Sequence, residues 1–151
     1  EYLKTIHKLV KGGCPSINLK QEIDLHHELL KAISSGIIES AHDISDGGLA
    51  VTIQECTTST LGASIHLQSN GIRKDSILFG ESQSRVIVSV SEENTKQFEE
   101  IFRKTSIINI GITTKDSNIK LSIDDKTFIN ERTNDLKEIH ADAISSIMRK
   151  E

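Results

Sequence analysis

The chain has 151 residues, 36% of them hydrophobic and 3% aromatic, and its 18 Lys and Arg against 22 Asp and Glu leave a formal net charge of -4. That length is enough to bury the core of one ordinary domain. The acidic balance excludes a general nucleic-acid surface, which needs clustered cations to track phosphates, and one Tyr with four Phe gives no platform for stacking bases.

Residues 1–10 place Tyr2, Leu3, Ile6, Leu9 and Val10 near a 3.6-residue repeat, which predicts one or two helical turns. They lack the apolar centre of a signal peptide, and no later run is long enough to cross a bilayer. The opening, without Met and already in an expected helix, reads as the start of a piece of a longer polypeptide. Gly12, Gly13 and Pro15 break the helix. Asn18 then caps a second one, with Gln21 in the capping-box position. Leu19, Ile23, His26, Leu30 and Ile33, widened by Leu29, are its expected buried stripe, and Gly36 its stop. The stripe makes His26 a core or interface histidine rather than a zinc ligand.

Ile37 and Ile38 open a strand that runs to Ala41. A helix from Gly47 to Thr57, capped by Ser45 or Asp46, carries Leu49, Ile53 and Cys56 on one side. Ala63, Ile65 and Leu67 alternate with Ser64 and His66 as a strand with one wet face. After the Asn70-Gly71 loop, Ile77 to Phe79 leads into a second loop. Val86 to Val90 is a strand, and Ser91 begins a helix whose core side is Phe98, Ile101 and Phe102. Ile107 to Ile112 and Ile119 to Ile123 read as strands joined through 115–118, with Thr127 to Ile129 a short third. Asn130-Glu131-Arg132 reads as a turn before a last helix from Asn134, whose stripe is Leu136, Ile139, Ala143, Ile144 and Ile147. This order predicts a layered α/β or α+β sandwich, as a single domain over 1–151. Cys14 and Cys56 have no motif spacing, and a reducing, cytoplasmic setting is a simpler reading than a disulfide between them.

Two segments could carry chemistry. Ser40 to Leu49, SAHDISDGGL, passes from a strand to a helix through two glycines. The helix start could receive an anion, and Gly47 and Gly48 would let a phosphate or a neighbouring stretch of chain come close. Asp43 and Asp46 oppose a plain phosphate cradle unless a cation screens them; an ordinary helix cap is the competing reading. His42 is a weak candidate for proton transfer against a structural histidine bonded to Asp46 or to backbone. In Phe79 to Arg85, FGESQSR, Glu81 could face a metal, a helix end or Arg85, and Arg85 could pair with a carboxylate or a phosphate. The competing reading there is a polar loop closed by a Glu–Arg pair. No Walker loop, dinucleotide fingerprint or serine-nucleophile elbow is present.

SAHDISDGGL and the stretch Leu78 to Val90, LFGESQSRVIVSV, resemble in order and spacing the signature segments of phosphoribosylformylglycinamidine synthase. The similarity extends over essentially the whole chain, with Asn109-Ile110-Gly111 a weaker late match, and FGESQSR is closer to the small-subunit form of that enzyme. Asn18, where an Asp is common, and the Cys14-Pro15 turn depart mildly from the pattern. The resemblance implies the carboxy-terminal domain of the aminoimidazole-ribonucleotide-synthetase superfamily, with a mixed, partly ferredoxin-like sheet and flanking helices. It implies an ATP-dependent ligase of purine biosynthesis, with ATP and magnesium held mainly by an amino-terminal module of the same chain. A separate glutaminase, a small accessory subunit, formylglycinamide ribonucleotide and a homo-oligomer are the implied partners, with neither nucleic acid nor membrane among them. Asp43, Ser45, Asp46, Gly47 and Gly48 would then line the ribonucleotide or phosphate side, and Gly80, Glu81, Ser82, Gln83 and Arg85 a second wall. Asp43 is a weak metal candidate. His42 is not expected to be catalytic, and the fragment alone is expected to be inactive. Aminoimidazole ribonucleotide synthesis, selenophosphate synthesis and a non-catalytic scaffold are the alternatives.

Overall fold

The computed structural model describes residues 1–149 and forms two compact units, Glu1–Thr52 with Asp75–Asn109 and Ile53–Lys74 with Ile110–Glu151.

In the first unit a short helix α1 (Tyr2–His7) precedes α2 (Leu19–Ser34). Asn18 caps α2 as expected, its Oδ1 accepting from the N–H groups of Lys20 (3.1 Å) and Gln21 (3.2 Å). Gly36, at φ +69°, ends the helix in the left-handed conformation that a Cβ disfavours. β1 (Ile38–Asp43) then pairs antiparallel with β3 (Val86–Val90), Ala41 opposite Val88 and Asp43 opposite Val86. Between them in sequence come α3 (Gly48–Cys56), which continues into the second unit, and α4 (Lys74–Phe79). After β3 a single 3-10 turn leads into α5 (Thr95–Ile101). The core is Ala32, Ile37, Phe98 and Phe102, with Leu25, Leu29, Ile38, Val88, Val90 and Ile101 packed on it.

The expected stripe of α2 is not its buried face. Leu19, Ile23, Leu30 and Ile33 are exposed, whereas Glu28 and Ala32 are buried. Glu28 explains why the pattern misled: a carboxylate holds the centre of the inner face. It accepts from the backbone N–H groups of Arg103 (3.0 Å), Lys104 (2.9 Å) and Thr105 (3.2 Å), and from the Thr105 hydroxyl. Burial pushes its pKa up, but those four donors together outweigh burial and hold the carboxyl below its ordinary value.

The second unit is built on a four-stranded sheet in the order β4-β2-β5-β6. Its strands are β2 (Gly62–Leu67), β4 (Gly111–Thr114), β5 (Asn118–Ile123) and β6 (Lys126–Arg132). β2 and β5 run parallel, and the other neighbours antiparallel. β4 and β5 are consecutive in sequence yet lie on either side of β2. Ala63, Ile65, Leu67, Ile119, Leu121 and Ile123 are buried, and His66 stands exposed on the wet face as expected. Helix α6 (Thr133–Met148) closes the described chain, with Thr133 donating its hydroxyl to the Thr58 carbonyl (2.8 Å). Mixed parallel and antiparallel pairing with helices is the α/β class that the element order predicts.

Several local expectations change. β4 begins at Gly111, so 107–110 lie before the strand. Asn130, Glu131 and Arg132 belong to β6, which leaves no turn there. The α6 stripe is uncovered: Ile139, Ile144 and Ile147 are all exposed. Ile77 to Phe79, read as the approach to a loop, belong to α4, whose end is closed by the Gly80 N–H on the Ser76 carbonyl (3.0 Å). Both cysteines are free, Cys14 exposed and Cys56 half-buried. No helix among the described residues is long and apolar enough to cross a membrane.

Candidate functional site

The two polar segments meet in the first unit. β1 ends at Asp43 opposite the first residue of β3, Val86, so strand pairing sets 43–48 beside 80–85. The Ile44 N–H continues the ladder onto the Arg85 carbonyl (2.9 Å). The Gly47 N–H, at the start of α3, donates to Glu81 Oε1 (2.9 Å). Of the three partners open to Glu81, the helix end is the one it takes. That N–H is the main reason the Glu81 carboxyl lies below its ordinary value, against the opposing effect of partial burial. The anion received by this helix start is therefore the protein's own carboxylate.

Gly48 shows which of the two close approaches occurs. At φ +68°, a Cβ built on it would stand 2.7 Å from the Phe79 carbonyl carbon and 2.8 Å from the Gly80 oxygen. A neighbouring stretch of chain fills the space. On Gly47 a Cβ would meet the Val51 side chain at 2.5 Å, and on Gly80 the Ser76 oxygen at 2.3 Å. The three glycines pack the backbone behind the loops.

Arg85 turns its guanidinium inward, donating from Nε to the Ser82 carbonyl (3.2 Å) and from a terminal nitrogen to the Gly80 carbonyl. Burial lowers its pKa, though a guanidinium stays cationic. It closes its own loop through backbone oxygens instead of pairing with Glu81. Ser82 is exposed.

In front of this framework is a concavity of about 420 Å³, lined by Glu22, Leu25 and His26 of α2, by 43–46, and by 81 and 83–86. It gathers Asp43, Ser45, Asp46, Glu81, Gln83 and Arg85. Glu22 and His26 are additions to the set expected from sequence. His26 is no core residue: its side chain is 60% exposed and its Nε2 lies 3.0 Å from Glu22 Oε1. The other Glu22 oxygen accepts from the Ser84 hydroxyl. The i, i+4 spacing of Glu22 and His26 was the available signal. His42 does not line the concavity; its Nδ1 donates to the Asp43 carbonyl (2.7 Å), the backbone bond that was one of its two structural readings.

Four carboxylates, of Glu22, Asp43, Asp46 and Glu81, share the concavity with one guanidinium, two of whose five N–H donors go to backbone carbonyls. Coulomb repulsion disfavours a phosphate here, whereas hydroxyl and N–H donors would find acceptors. The Asp43 side chain is 76% exposed, and the described residues contain no group of three or more His, Cys, Asp or Glu side chains able to hold a metal.

Residues 12–124 match the family described as AIR synthase related protein, C-terminal domain. The chain belongs to that family. Within this AIR synthase related family it is similar to phosphoribosylformylglycinamidine synthase subunit PurL of Prochlorococcus marinus (strain MIT 9515), with 38% identity across 96% of the chain and 20% of that relative. The chain thus spans about one-fifth of the length of the curated relatives it matches. Among solved structures it resembles T. maritima PurL complexed with ATP (TM-score 0.65, 22% identity, 75% of this chain and 21% of that one) and the same protein complexed with FGAR (TM-score 0.63, 23% identity, 76% and 20%). PurLQS from Thermotoga maritima gives a TM-score of 0.67 at 20% identity, over 87% and 23%. These likenesses carry the AIR synthase related C-terminal fold.

Proposed function

We propose that this chain is the carboxy-terminal domain of a phosphoribosylformylglycinamidine synthase, and that its concavity is the ribose side of that enzyme's ribonucleotide site. The whole enzyme would convert formylglycinamide ribonucleotide, glutamine-derived ammonia and ATP to formylglycinamidine ribonucleotide, ADP and phosphate in the cytoplasm. ATP and magnesium would be held mainly by an amino-terminal module, and ammonia would come from a glutaminase subunit assisted by a small accessory subunit. The relatives named PurL, and the Thermotoga maritima PurL complexes with ATP and FGAR, support this reading. So does the assembly named PurLQS.

The observation that carries it is the bond from Gly47 to Glu81, which makes two signature-like segments one wall. On that wall Ser45, Asp46 and Gln83 offer hydrogen-bonding groups to a sugar hydroxyl, while the excess of carboxylates turns the phosphate elsewhere. The domain's contribution is orientation: a ribonucleotide held on one side meets the nucleotide module's groups on the other with little freedom left to lose. Alone, the domain would be inactive.

In the full-length synthetase with its glutaminase and accessory subunits, Gln83→Ala should raise KM for formylglycinamide ribonucleotide roughly tenfold and leave KM for ATP unchanged. A rise in the ATP KM alone would move these loops to the nucleotide side and overturn the reading.

A further inference from the structure

We infer that Glu22 is a positioning residue for the second wall, its carboxylate tying the turn around Ser84 to α2. The inference deepens the ribonucleotide reading of the concavity and rests on it.

Ser84 sits at φ +61°, a left-handed conformation unusual for a residue with a Cβ. Such a conformation is costly and persists only where the surroundings impose it. Three contacts do so. Glu81 fixes the front of the loop to the start of α3, and Arg85 cross-links the loop to itself through the Gly80 and Ser82 carbonyls. The rear is held by the Ser84 hydroxyl donating to Glu22, 62 residues earlier on another element. That bond is charge-assisted, and the Glu22 side chain is only 24% exposed, so water competes weakly for it. His26, one turn on, places its Nε2 3.0 Å from the other Glu22 oxygen and restricts the rotamers the carboxylate can adopt. His26 therefore acts on the wall through Glu22. Gln83 lies immediately before the turn, and the direction of its side chain depends on the turn being held.

A plain surface pair between Glu22 and His26 would matter little to anything. The two roles separate in the full-length synthetase when hydrogen exchange is measured alongside kinetics. Glu22→Ala should speed amide exchange in 82–86 roughly tenfold, with other segments and the melting temperature little changed. It should raise KM for formylglycinamide ribonucleotide roughly tenfold, with kcat nearly kept. Glu22→Gln, which retains an oxygen for the Ser84 hydroxyl, should restore most of both, and Ser84→Ala should reproduce the loss. Unchanged exchange in 82–86, or a loss of stability across the fold that Gln fails to rescue, would overturn the role of Glu22. Faster exchange rescued by Gln with an unmoved KM would leave Glu22 as the positioning residue and overturn the ribonucleotide reading instead.

Discussion

The two units hold themselves together in different ways. In the second, β5 lies between two partners with Leu121 and Ile123 at 0% exposure, and apolar burial does most of the holding. In the first, β1 and β3 form only a two-stranded ribbon, and every residue of β3 is half-buried. A lone ribbon is marginal in water. Here it leans on an aromatic cluster at Phe98 and Phe102, and the segments around it are fastened by three carboxylates. Glu28 gathers the 103–105 backbone, Glu81 the start of α3 and Glu22 the Ser84 turn. Apolar burial is non-directional and tolerates no groups free for chemistry. Carboxylate fastenings are directional, and they leave polar loops facing outward at a defined shape.

Breaking the apolar unit should cost most. Leu121→Ala removes a fully buried side chain and should destabilise by about 3 kcal/mol, read as a lowered denaturant midpoint. Breaking a fastening should cost less. Glu28→Ala leaves the Arg103, Lys104 and Thr105 N–H groups without their acceptor and should cost about 2 kcal/mol. A larger loss at Glu28 than at Leu121 would dissolve the contrast.

Acid sharpens the same comparison. The folded-state pKa values of Glu28 and Glu81 are both lowered. Their stabilisation is therefore fully present above the ordinary carboxylate range and is lost as pH falls through the folded values. Protection of the amides of 103–105 and of Gly47, taken relative to intrinsic exchange at each pH, should fall on acidification before protection in β5 does.

What sequence revealed follows the same division. Asn18, Gly36, β3 and the Phe98 and Phe102 pair were legible because each depends on local chemistry or a clear apolar period. The buried face of α2 was not. Periodicity finds apolar residues, and here the inner face is centred on Glu28 while Leu19, Ile23, Leu30 and Ile33 point outward. α6 misleads similarly, since a stripe tells that a face is apolar and not what covers it. α4 is six residues long, too short to show a period. At the site, six of the concavity's polar groups could be read from two motifs. Glu22 and His26 showed only an i, i+4 spacing, because their part in the site comes from α2 lying beside a loop some sixty residues later. The motif glycines were visible, but which of them admits the Phe79–Gly80 backbone was not; it is Gly48.

The central claim is that this domain is one side of a two-module site. Calorimetric titration of the 151-residue chain with formylglycinamide ribonucleotide and ATP tests it most directly. The account predicts weak or undetectable binding of the ribonucleotide and no ATP turnover, because it assigns the groups that grip phosphate and move protons to another module. Tight binding accompanied by ATP hydrolysis would contradict it.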